Sequence, residues 1–165
     1  MKNCVVRQAV AADHPAIRAV VVEAFKGDGE ANLIESLRSA GDMVLELVAV
    51  RDDKIVGHIL FSRLLVIAGG QNHAAVALAP LAVRPALQLK GIGHQLVEEA
   101  HSTLAPRETL SVVLGDPSYY GRFGYSHARA AKFDSAYQCE AWQALAWGNG
   151  PETGRIVYPS AFAGL

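Results

Sequence analysis

The segment that decides the fold of this chain reads Leu81-Ala82-Val83-Arg84-Pro85-Ala86-Leu87-Gln88-Leu89-Lys90-Gly91-Ile92-Gly93. A short apolar strand passes through a proline-marked bend into a Gln-x-x-Gly-x-Gly loop, and a helix is predicted to begin directly after that loop. The first N–H groups of a helix have no partner within the helix and lie at the positive end of its dipole. The segment therefore predicts an anion site of the kind that holds a pyrophosphate.

A glycine loop between a strand and a helix can also serve in three different ways, each with its own residue requirements. A P-loop ends in Gly-Lys-Ser/Thr, whereas here Lys90 precedes Gly91 and no hydroxyl residue follows. A dinucleotide-binding loop would have a third glycine at position 96, where this chain has Leu96. It would also have an acidic residue at the end of the next strand, where this chain has only Asp116 nearby. A tight strand-to-helix turn without any ligand also fits the spacing, and that alternative stays open.

Pro80 lies inside the apolar run 74–83, where a proline removes one hydrogen-bond donor from the sheet. We therefore predict a sheet edge or a β-bulge immediately before residues 81–83. Backbone groups beside such a bulge would be free to bond an extended ligand that carries amides of its own. Coenzyme A has both an amide-bearing arm and a pyrophosphate, so this combination of features favours coenzyme A.

The composition limits the class of protein. The 165 residues are 51% hydrophobic and 19% charged with a net charge of −1, which is typical of one globular domain, assigned to residues 1–165. No cluster of Lys or Arg predicts nucleic-acid binding, and no apolar run is long enough to span a membrane. The N-terminus lacks a signal-peptide pattern, and the two cysteines lack metal-binding spacing. We expect a cytoplasmic protein without a metal site.

Hydrophobic periodicity predicts an α/β fold. The helix after the glycine loop connects strand 74–83 to strand 110–114, and such a β-α-β crossover joins parallel strands. The order of elements predicts a mixed central sheet with helices on both faces. The other predicted elements are strand 4–8, a helix that follows an N-cap at Asp13, helix 31–38, an antiparallel hairpin of strands 43–50 and 55–66, and tail strands 136–146 and 155–158.

Four segments occur together in the order and spacing of one known family: Gly57-His58-Ile59-Leu60-Phe61-Ser62, residues 78–83, residues 88–93, and Leu114-Gly115-Asp116-Pro117-Ser118-Tyr119-Tyr120-Gly121-Arg122-Phe123-Gly124-Tyr125. The chain resembles the GNAT superfamily of acyl-CoA-dependent N-acyltransferases, and within it the small bacterial YhbS-like group, from about Val5 to the end. The resemblance implies the GNAT fold. It also implies an acetyl-CoA-dependent N-acetyltransferase that moves an acetyl group to a primary amine by direct attack in a ternary complex.

The resemblance also implies which residues bind the coenzyme and act on it. Tyr120 matches the tyrosine of the family's Tyr-x-Arg/Lys-x-Gly-Phe segment and would protonate or hydrogen-bond the leaving CoA thiolate. Many members have an Asn and a full helix before that tyrosine, whereas this chain has Gly115-Asp116-Pro117, as is usual in the YhbS-like group. The implied coenzyme-binding residues are Leu81, Ala82, Val83, Gln88, Leu89, Lys90, Gly91, Ile92, Gly93, His94, Asp116 and Arg122.

The group that takes a proton from the acceptor amine is the least defined part of the site. Glu30 and His58 are the leading candidates because the family places the acceptor near both regions, and Glu46 and His127 are further ones. Each also has a structural role open to it: Glu30 and Glu46 as solvated charges, His58 as a hydrogen-bonded residue of the sheet. Aromatic residues that would either pack in the core or line an acceptor pocket are Tyr119, Phe123, Trp142 and Trp147.

The partners and two rival functions stay open at this stage. The acceptor would be a small-molecule or peptide amine, neither nucleic acid nor membrane is expected as a partner, and a homodimer is compatible with the sequence. The first rival function is a non-catalytic acyl-CoA sensor, which would bind the coenzyme without turnover. The second is a nucleotide-binding domain of the Rossmann type.

Overall fold

A computed structural model describes residues 4–164, so residues 1–3 and 165 of the predicted 1–165 domain lie outside the described part. Among residues 4–164, no helix is both long enough and apolar enough to cross a membrane. The helices and strands are, in chain order, β1 (Val5–Gln8), α1 (His14–Phe25), α2 (Gly29–Ala40), β2 (Met43–Arg51), β3 (Lys54–Ala68), β4 (Gln71–Val83), α3 (Ile92–Leu104), β5 (Leu110–Leu114), α4 (Pro117–Tyr120), α5 (His127–Ala130), β6 (Phe133–Asp134), β7 (Trp142–Ala146) and β8 (Gly154–Val157).

The strands form one mixed sheet with the order β1-β2-β3-β4-β5-β7, while β8 pairs with β3 and β6. Strands β1 to β4 are antiparallel neighbours, which confirms the predicted hairpin. Strands β4 and β5 are parallel over three residue pairs, from Val76 opposite Ser111 to Leu78 opposite Val113. The predicted crossover through α3 is therefore confirmed.

Helices cover both faces of the sheet, as predicted. Successive side chains of a strand point to opposite faces. On β3, Ile59 packs in the cluster that contains Leu96 of α3, whereas Leu60 packs in the cluster that contains Ile17 of α1 and Leu37 of α2. The α/β class and the arrangement of layers thus agree with the sequence prediction.

The predicted tail strand 136–146 is wrong in its first half, because only Trp142–Ala146 is a strand. The hydroxyl of Ser135 accepts a hydrogen bond from the Tyr137 N–H, and the side-chain amide of Gln138 donates to the carbonyls of Ala130 and Phe133. These local bonds from side chains to the backbone replace the strand ladder over this segment.

Asp13 lies at the predicted N-cap of α1 but does not cap that helix. Its carboxylate accepts hydrogen bonds from the guanidinium of Arg7 and from the N–H of Val10. The Arg7 bonds, followed by the Val10 bond, lower the pKa of Asp13 to about 2. Asp13 therefore fixes the turn before α1 to strand β1 instead of capping the helix. Helix α2, at Gly29–Ala40, is longer than the predicted helix 31–38.

Candidate active site

Strand β4 carries a bulge at the position that Pro80 predicted. Ile59 of β3 lies opposite Leu81, but Phe61, two residues further along, lies opposite Leu78, which is three residues away on β4. One extra residue is thus accommodated around the cis Ala79–Pro80 peptide. The pairing of β4 with β5 ends at Leu78, so beyond the bulge the two parallel strands separate.

The separated end of β4 turns backbone groups into the gap. The N–H of Arg84 donates to the carbonyl of Val56 on β3 at 2.9 Å. Hydrogen-bonded and non-hydrogen-bonded pairs alternate in an antiparallel ladder, so Ala82 bonds to β3 while Leu81 and Val83 direct their N–H and C=O groups away from it. The Gln88 side chain donates to the Val83 carbonyl at 3.1 Å, which ties the glycine loop to this strand end.

The glycine loop has the backbone shape that an anion site needs. Gly91 is the N-cap of α3 with φ +88°, and Leu89 also has a positive φ of +63°. The first N–H groups of this 13-residue helix, from Ile92 to His94, have no acceptor inside the helix. A Cβ on Gly93 would lie 2.6 Å from the Tyr119 hydroxyl oxygen, so glycine permits this close contact.

Three side chains that were predicted to bind the coenzyme differ in their contacts with the rest of the protein. The guanidinium of Arg122 lies over the Tyr119 ring, 4.9 Å from its centroid, and Tyr119 contacts the glycine loop through Gly93. Lys90 is exposed on the loop itself. Asp116, in contrast, accepts hydrogen bonds from the N–H and the hydroxyl of Ser118, both at 2.9 Å, and so caps α4. This capping accounts for Asp116 without a ligand.

A cavity of about 310 Å³ lies where β4 and β5 separate. Of the residues predicted to bind the coenzyme or to act in catalysis, three line it: Leu81 on β4, Glu30 in the first turn of α2, and Tyr120 at the end of α4. Residues lining it that sequence reasoning missed are Phe25, Leu33, Tyr137, Tyr158 and Phe162. The four aromatic residues proposed for this role do not line the cavity; Trp142, for example, is fully buried.

Tyr120 is held by its neighbours through its ring and not through its hydroxyl. The ring packs edge-on against Tyr119 at 5.0 Å and against Tyr125 at 5.9 Å between centroids. A Cβ on Gly115 would lie 2.5 Å from Cε2 of Tyr120, so a glycine is needed beside the ring. Within residues 4–164, no hydrogen bond engages the Tyr120 hydroxyl. Burial, and then the neighbouring Tyr119, raise the pKa of Tyr120 above its ordinary value of 10, so the hydroxyl remains a donor at neutral pH.

Tyr125, the last aromatic residue of the motif, anchors this arrangement. Its ring is buried, and its hydroxyl lies 2.8 Å from the Ser111 hydroxyl and 3.0 Å from Nε2 of His101. Ser111 lies on β5 and His101 on α3, so this contact joins the strand and the helix behind Tyr120. Tyr125 thus supports the ring of Tyr120 while its own hydroxyl is fully engaged.

His58 lies in a buried ionic cluster and does not line the cavity. Its Nε2 is 2.7 Å from Oε2 of Glu46, and Arg38 of α2 donates two hydrogen bonds to the same carboxylate. His58 has no exposed surface, and its Nδ1 has no partner among the described residues. His58 therefore cannot take a proton directly from an acceptor amine in the cavity, contrary to the expectation from the sequence. The same holds for Glu46, which is also buried and does not line the cavity.

The electrostatics of this cluster favour a neutral histidine. Burial raises the pKa of Glu46, but hydrogen bonds from His58 and Arg38 outweigh it and lower the pKa to about 2. Burial lowers the pKa of His58, and Glu46 offsets only part of this because Arg38 already neutralises the carboxylate. The cluster is thus one buried ion pair with a neutral imidazole attached. Among residues 4–164, no three His, Cys, Asp or Glu side chains are grouped so as to hold a metal ion.

Comparison with known proteins identifies the family. The family model described as acetyltransferase (GNAT) domain matches residues 5–128. The uncharacterized N-acetyltransferase YhbS of Escherichia coli (strain K12) is 37% identical over 125 residues, which are 74% of each chain. The uncharacterized N-acetyltransferase YjhQ of the same strain is 37% identical over 113 residues, which are 66% of this chain and 62% of YjhQ.

Two solved structures share the fold over nearly the whole chain. One is the crystal structure of the E. coli GNAT family N-acetyltransferase YhbS in complex with CoA, with a TM-score of 0.89 and 31% identity over 99% of this chain and 93% of that one. The other is a GNAT family acetyltransferase from Brucella melitensis in complex with acetyl-CoA, with a TM-score of 0.82 and 33% identity over 98% and 99% of the two chains. Sequence and structure therefore agree that this chain belongs to the GNAT acetyltransferase family.

Proposed function

We propose that this protein transfers an acetyl group from acetyl-CoA to a primary amine, by direct attack in a ternary complex at the gap between β4 and β5. The observation that carries the proposal is the gap itself, where Leu81 and Tyr120 line one cavity, next to the glycine loop. The solved relatives that are 31% and 33% identical were crystallised with CoA and acetyl-CoA, which supports the same donor here.

The backbone of the separated strand would bind the donor. An extended ligand with amide groups can pair with the outward C=O of Leu81 and the outward N–H of Val83 as an added strand would, while the Val83 carbonyl accepts from Gln88. The loop from Gln88 to His94 follows directly and offers its N–H groups, with the positive end of α3, to the pyrophosphate. Lys90 and Arg122 would add side-chain charge, and Asp116 would act only by shaping α4.

The reaction requires stabilisation of the negative charge that develops on the thioester oxygen. The amine nitrogen attacks the carbonyl carbon, a C–N bond forms and the C–S bond breaks. Preorganised N–H donors at such an oxygen typically lower the barrier by about 3 kcal/mol. Leu81 lines the cavity and directs its N–H away from β3, so we assign this role to the Leu81 N–H.

Tyr120 would stabilise the leaving thiolate by a hydrogen bond. An ordinary thiol has a pKa of about 8.5 and a phenol one of about 10, so full proton transfer from tyrosine to the thiolate is already unfavourable. Burial raises the pKa of Tyr120 further, which makes transfer less favourable still but keeps the donor proton in place. The thiolate would then take its proton from water.

The proton that the amine loses would pass to Glu30 or to water. An amine with a pKa of about 10.4 costs roughly 4 to 5 kcal/mol to deprotonate at pH 7, so a nearby acceptor is useful. Among the described residues, Glu30 is the only acidic side chain that lines the cavity. The cytoplasmic location, the domain limits 1–165 and the homodimer remain predictions that fractionation, limited proteolysis and sedimentation would test.

Calorimetric titration with acetyl-CoA, with NAD and ATP as controls, tests the donor, and Tyr120→Phe tests the chemistry. We expect saturable binding of acetyl-CoA alone among the three. In Tyr120→Phe, kcat for CoA release should fall by about 100-fold while the Kd for acetyl-CoA changes less than about twofold. Binding of acetyl-CoA without CoA release from any amine would favour the sensor. Absence of acetyl-CoA binding would refute the proposal.

A further inference from the structure

We propose that the acceptor is a small monoamine with an aryl or other flat apolar body and without a negative charge. This inference rests on the proposed function, since it names the substrate class of the same cavity. It is carried by two properties of the cavity wall as residues 4–164 form it: a continuous aromatic surface, and a single carboxylate with no cationic side chain beside it in the wall.

The aromatic surface comes from the tail of the chain. The ring of Tyr158 lies 4.9 Å from the ring of Tyr137 and 4.9 Å from that of Phe162, between centroids, so the three rings form one wall. Nε1 of Trp142 donates a hydrogen bond to the Tyr158 hydroxyl at 2.9 Å, which fixes the middle ring. Burial raises the pKa of Tyr158 to about 12, so the wall is uncharged at neutral pH. Such a surface suits a flat apolar group.

The charge on the cavity wall is the carboxylate of Glu30. No ion pair or hydrogen bond engages this carboxylate within residues 4–164, whereas Glu35 on the same helix pairs with Arg18. An ammonium group on the acceptor would supply the missing partner, and the aromatic rings also attract a cation. The cavity therefore complements one positive charge, and additional cationic groups on a polyamine would find no second carboxylate in the described wall.

The same wall disfavours an acceptor that carries an anion. Of the described residues that line the cavity, none is Arg, Lys or His. A carboxylate or phosphate on the acceptor would be desolvated against aromatic rings and beside Glu30 without a partner, which is unfavourable. Free amino acids and phosphorylated amines are therefore poor acceptors. The volume of about 310 Å³ is small for a ligand cavity, which favours a compact amine.

Three aryl amines that differ at one position test the proposal on the intact protein. These are 2-phenylethylamine, phenylalaninamide, which adds a neutral amide, and phenylalanine, which adds a carboxylate of similar size. With acetyl-CoA as donor, we expect kcat/KM for phenylalanine to be lower by about 100-fold than for phenylalaninamide. Spermidine should also be poorer than 2-phenylethylamine. Equal or better use of phenylalanine or spermidine would overturn the proposal.

Two variants with matched controls test the two parts of the wall. Glu30→Gln should raise KM for 2-phenylethylamine by about tenfold or more, whereas Asp28→Asn removes an exposed charge outside the cavity wall and should leave KM unchanged. Phe25 adds a further aromatic ring to the cavity wall, and Phe25→Ala should lower kcat/KM for 2-phenylethylamine by about tenfold without affecting propylamine. Val10→Ala, a truncation at another exposed apolar residue, should affect neither amine.

The outcomes separate this inference from the proposed function. If acetyl-CoA binds and Tyr120→Phe slows CoA release, but the best acceptor is a peptide, a polyamine or an amino acid, then only the substrate class is wrong. If Phe25→Ala lowers kcat/KM for propylamine and 2-phenylethylamine equally, the aromatic wall does not select the acceptor and the inference is again wrong. Failure of acetyl-CoA to bind would instead refute the proposed function itself.

Discussion

Helix α2 contributes to two ionisable groupings that lie in contrasting surroundings. Near its end, Arg38 donates two hydrogen bonds to Glu46, whose carboxylate also lies 2.7 Å from His58. In its first turn, Glu30 lines the cavity with Tyr120, and within the described residues no hydrogen bond engages either of these two side chains. The sequence offers Glu30 and His58 as the leading proton acceptors and Glu46 as a further one. The structure distinguishes them by their hydrogen-bond partners and by whether they line the cavity.

The contrast shows which ionisable groups belong to the fold and which are available to a substrate. A buried carboxylate without partners would be too costly, so the cluster around Glu46 is complete apart from Nδ1 of His58. Glu30 is only half-buried, so it can remain unpaired within residues 4–164 at little cost to stability. Removing a partnered group should therefore lower the free energy of unfolding, and removing an unpartnered one should change activity instead.

The largest expected effect is on stability in Glu46→Gln. The substitution keeps the size of the side chain but leaves Arg38 without its counter-ion and His58 without a charged partner. Breaking a buried ion pair at one side costs about 3 to 5 kcal/mol, and we expect a loss of this size in the free energy of unfolding. Urea denaturation followed by tryptophan fluorescence measures it, with Trp142 fully buried in the core.

Glu30→Gln is the matched control for this measurement, since it removes the same charge from a half-buried position that has no partner among the described residues. Its free energy of unfolding should stay within about 0.5 kcal/mol of the unmodified protein. Equal destabilisation by the two variants would show that partners do not distinguish the two carboxylates. The presence or absence of hydrogen-bond partners would then not predict which carboxylate contacts the substrate.

The second effect concerns the cavity side of the comparison, through Gly115→Ala. The new Cβ would lie 2.5 Å from the Tyr120 ring, so the ring must move from its place in the cavity wall. A misplacement of about 1 Å can lower kcat by about 100-fold, and we expect a loss approaching this with an unchanged Kd for acetyl-CoA. Gly121→Ala adds the same methyl group directly after Tyr120, where within residues 4–164 no atom beyond its neighbours along the chain lies within 4 Å. Equal kcat values for the two variants would contradict the assigned position of Tyr120.

Much of the donor side of the site was predictable from the sequence because it depends on local backbone chemistry. Pro80 cannot donate to the sheet, and the bulge lies where it stands. Gly91 has the positive φ that ends the loop, and α3 begins at the next residue. The spacing of β4, α3 and β5 also required a parallel pair. Each of these features is determined by residues that are close together in the sequence, or by a single crossover connection.

The acceptor side was not predictable because it depends on contacts between distant segments. Tyr158 reaches the cavity since β8 pairs with β3, which lies about ninety residues earlier in the chain. Aromatic residues give no sequence pattern that reveals such a contact, and Trp142 was therefore an equally good candidate. The pairing of His58 with Glu46 could have been found. In the hairpin Val48 lies opposite His58, so Glu46 is its diagonal neighbour on the same face.

The smallest expected effect is a change in the pH dependence of stability, and it tests the assignment of His58 as neutral. Burial lowers the pKa of His58 below its ordinary 6.5, so below that pH the unfolded chain binds a proton that the folded protein does not. Stability from this group is thus present above pH 6.5 and is lost as the pH falls. Each such histidine contributes a slope of about 1 kcal/mol per pH unit. His101, whose burial lowers its pKa to about 4, contributes likewise.

His58→Gln should therefore remove about 1 kcal/mol per pH unit from the slope of the free energy of unfolding between pH 6.5 and 5, leaving the part due to His101. Below pH 4.5 the unmodified protein should lose further stability, because Glu46 has a folded pKa of about 2 and an ordinary one of 4.5. Urea denaturation at half-unit pH intervals measures both regions. An unchanged slope in His58→Gln would mean that His58 is protonated in the folded protein, and the cluster would then carry a buried net charge that the present assignment excludes.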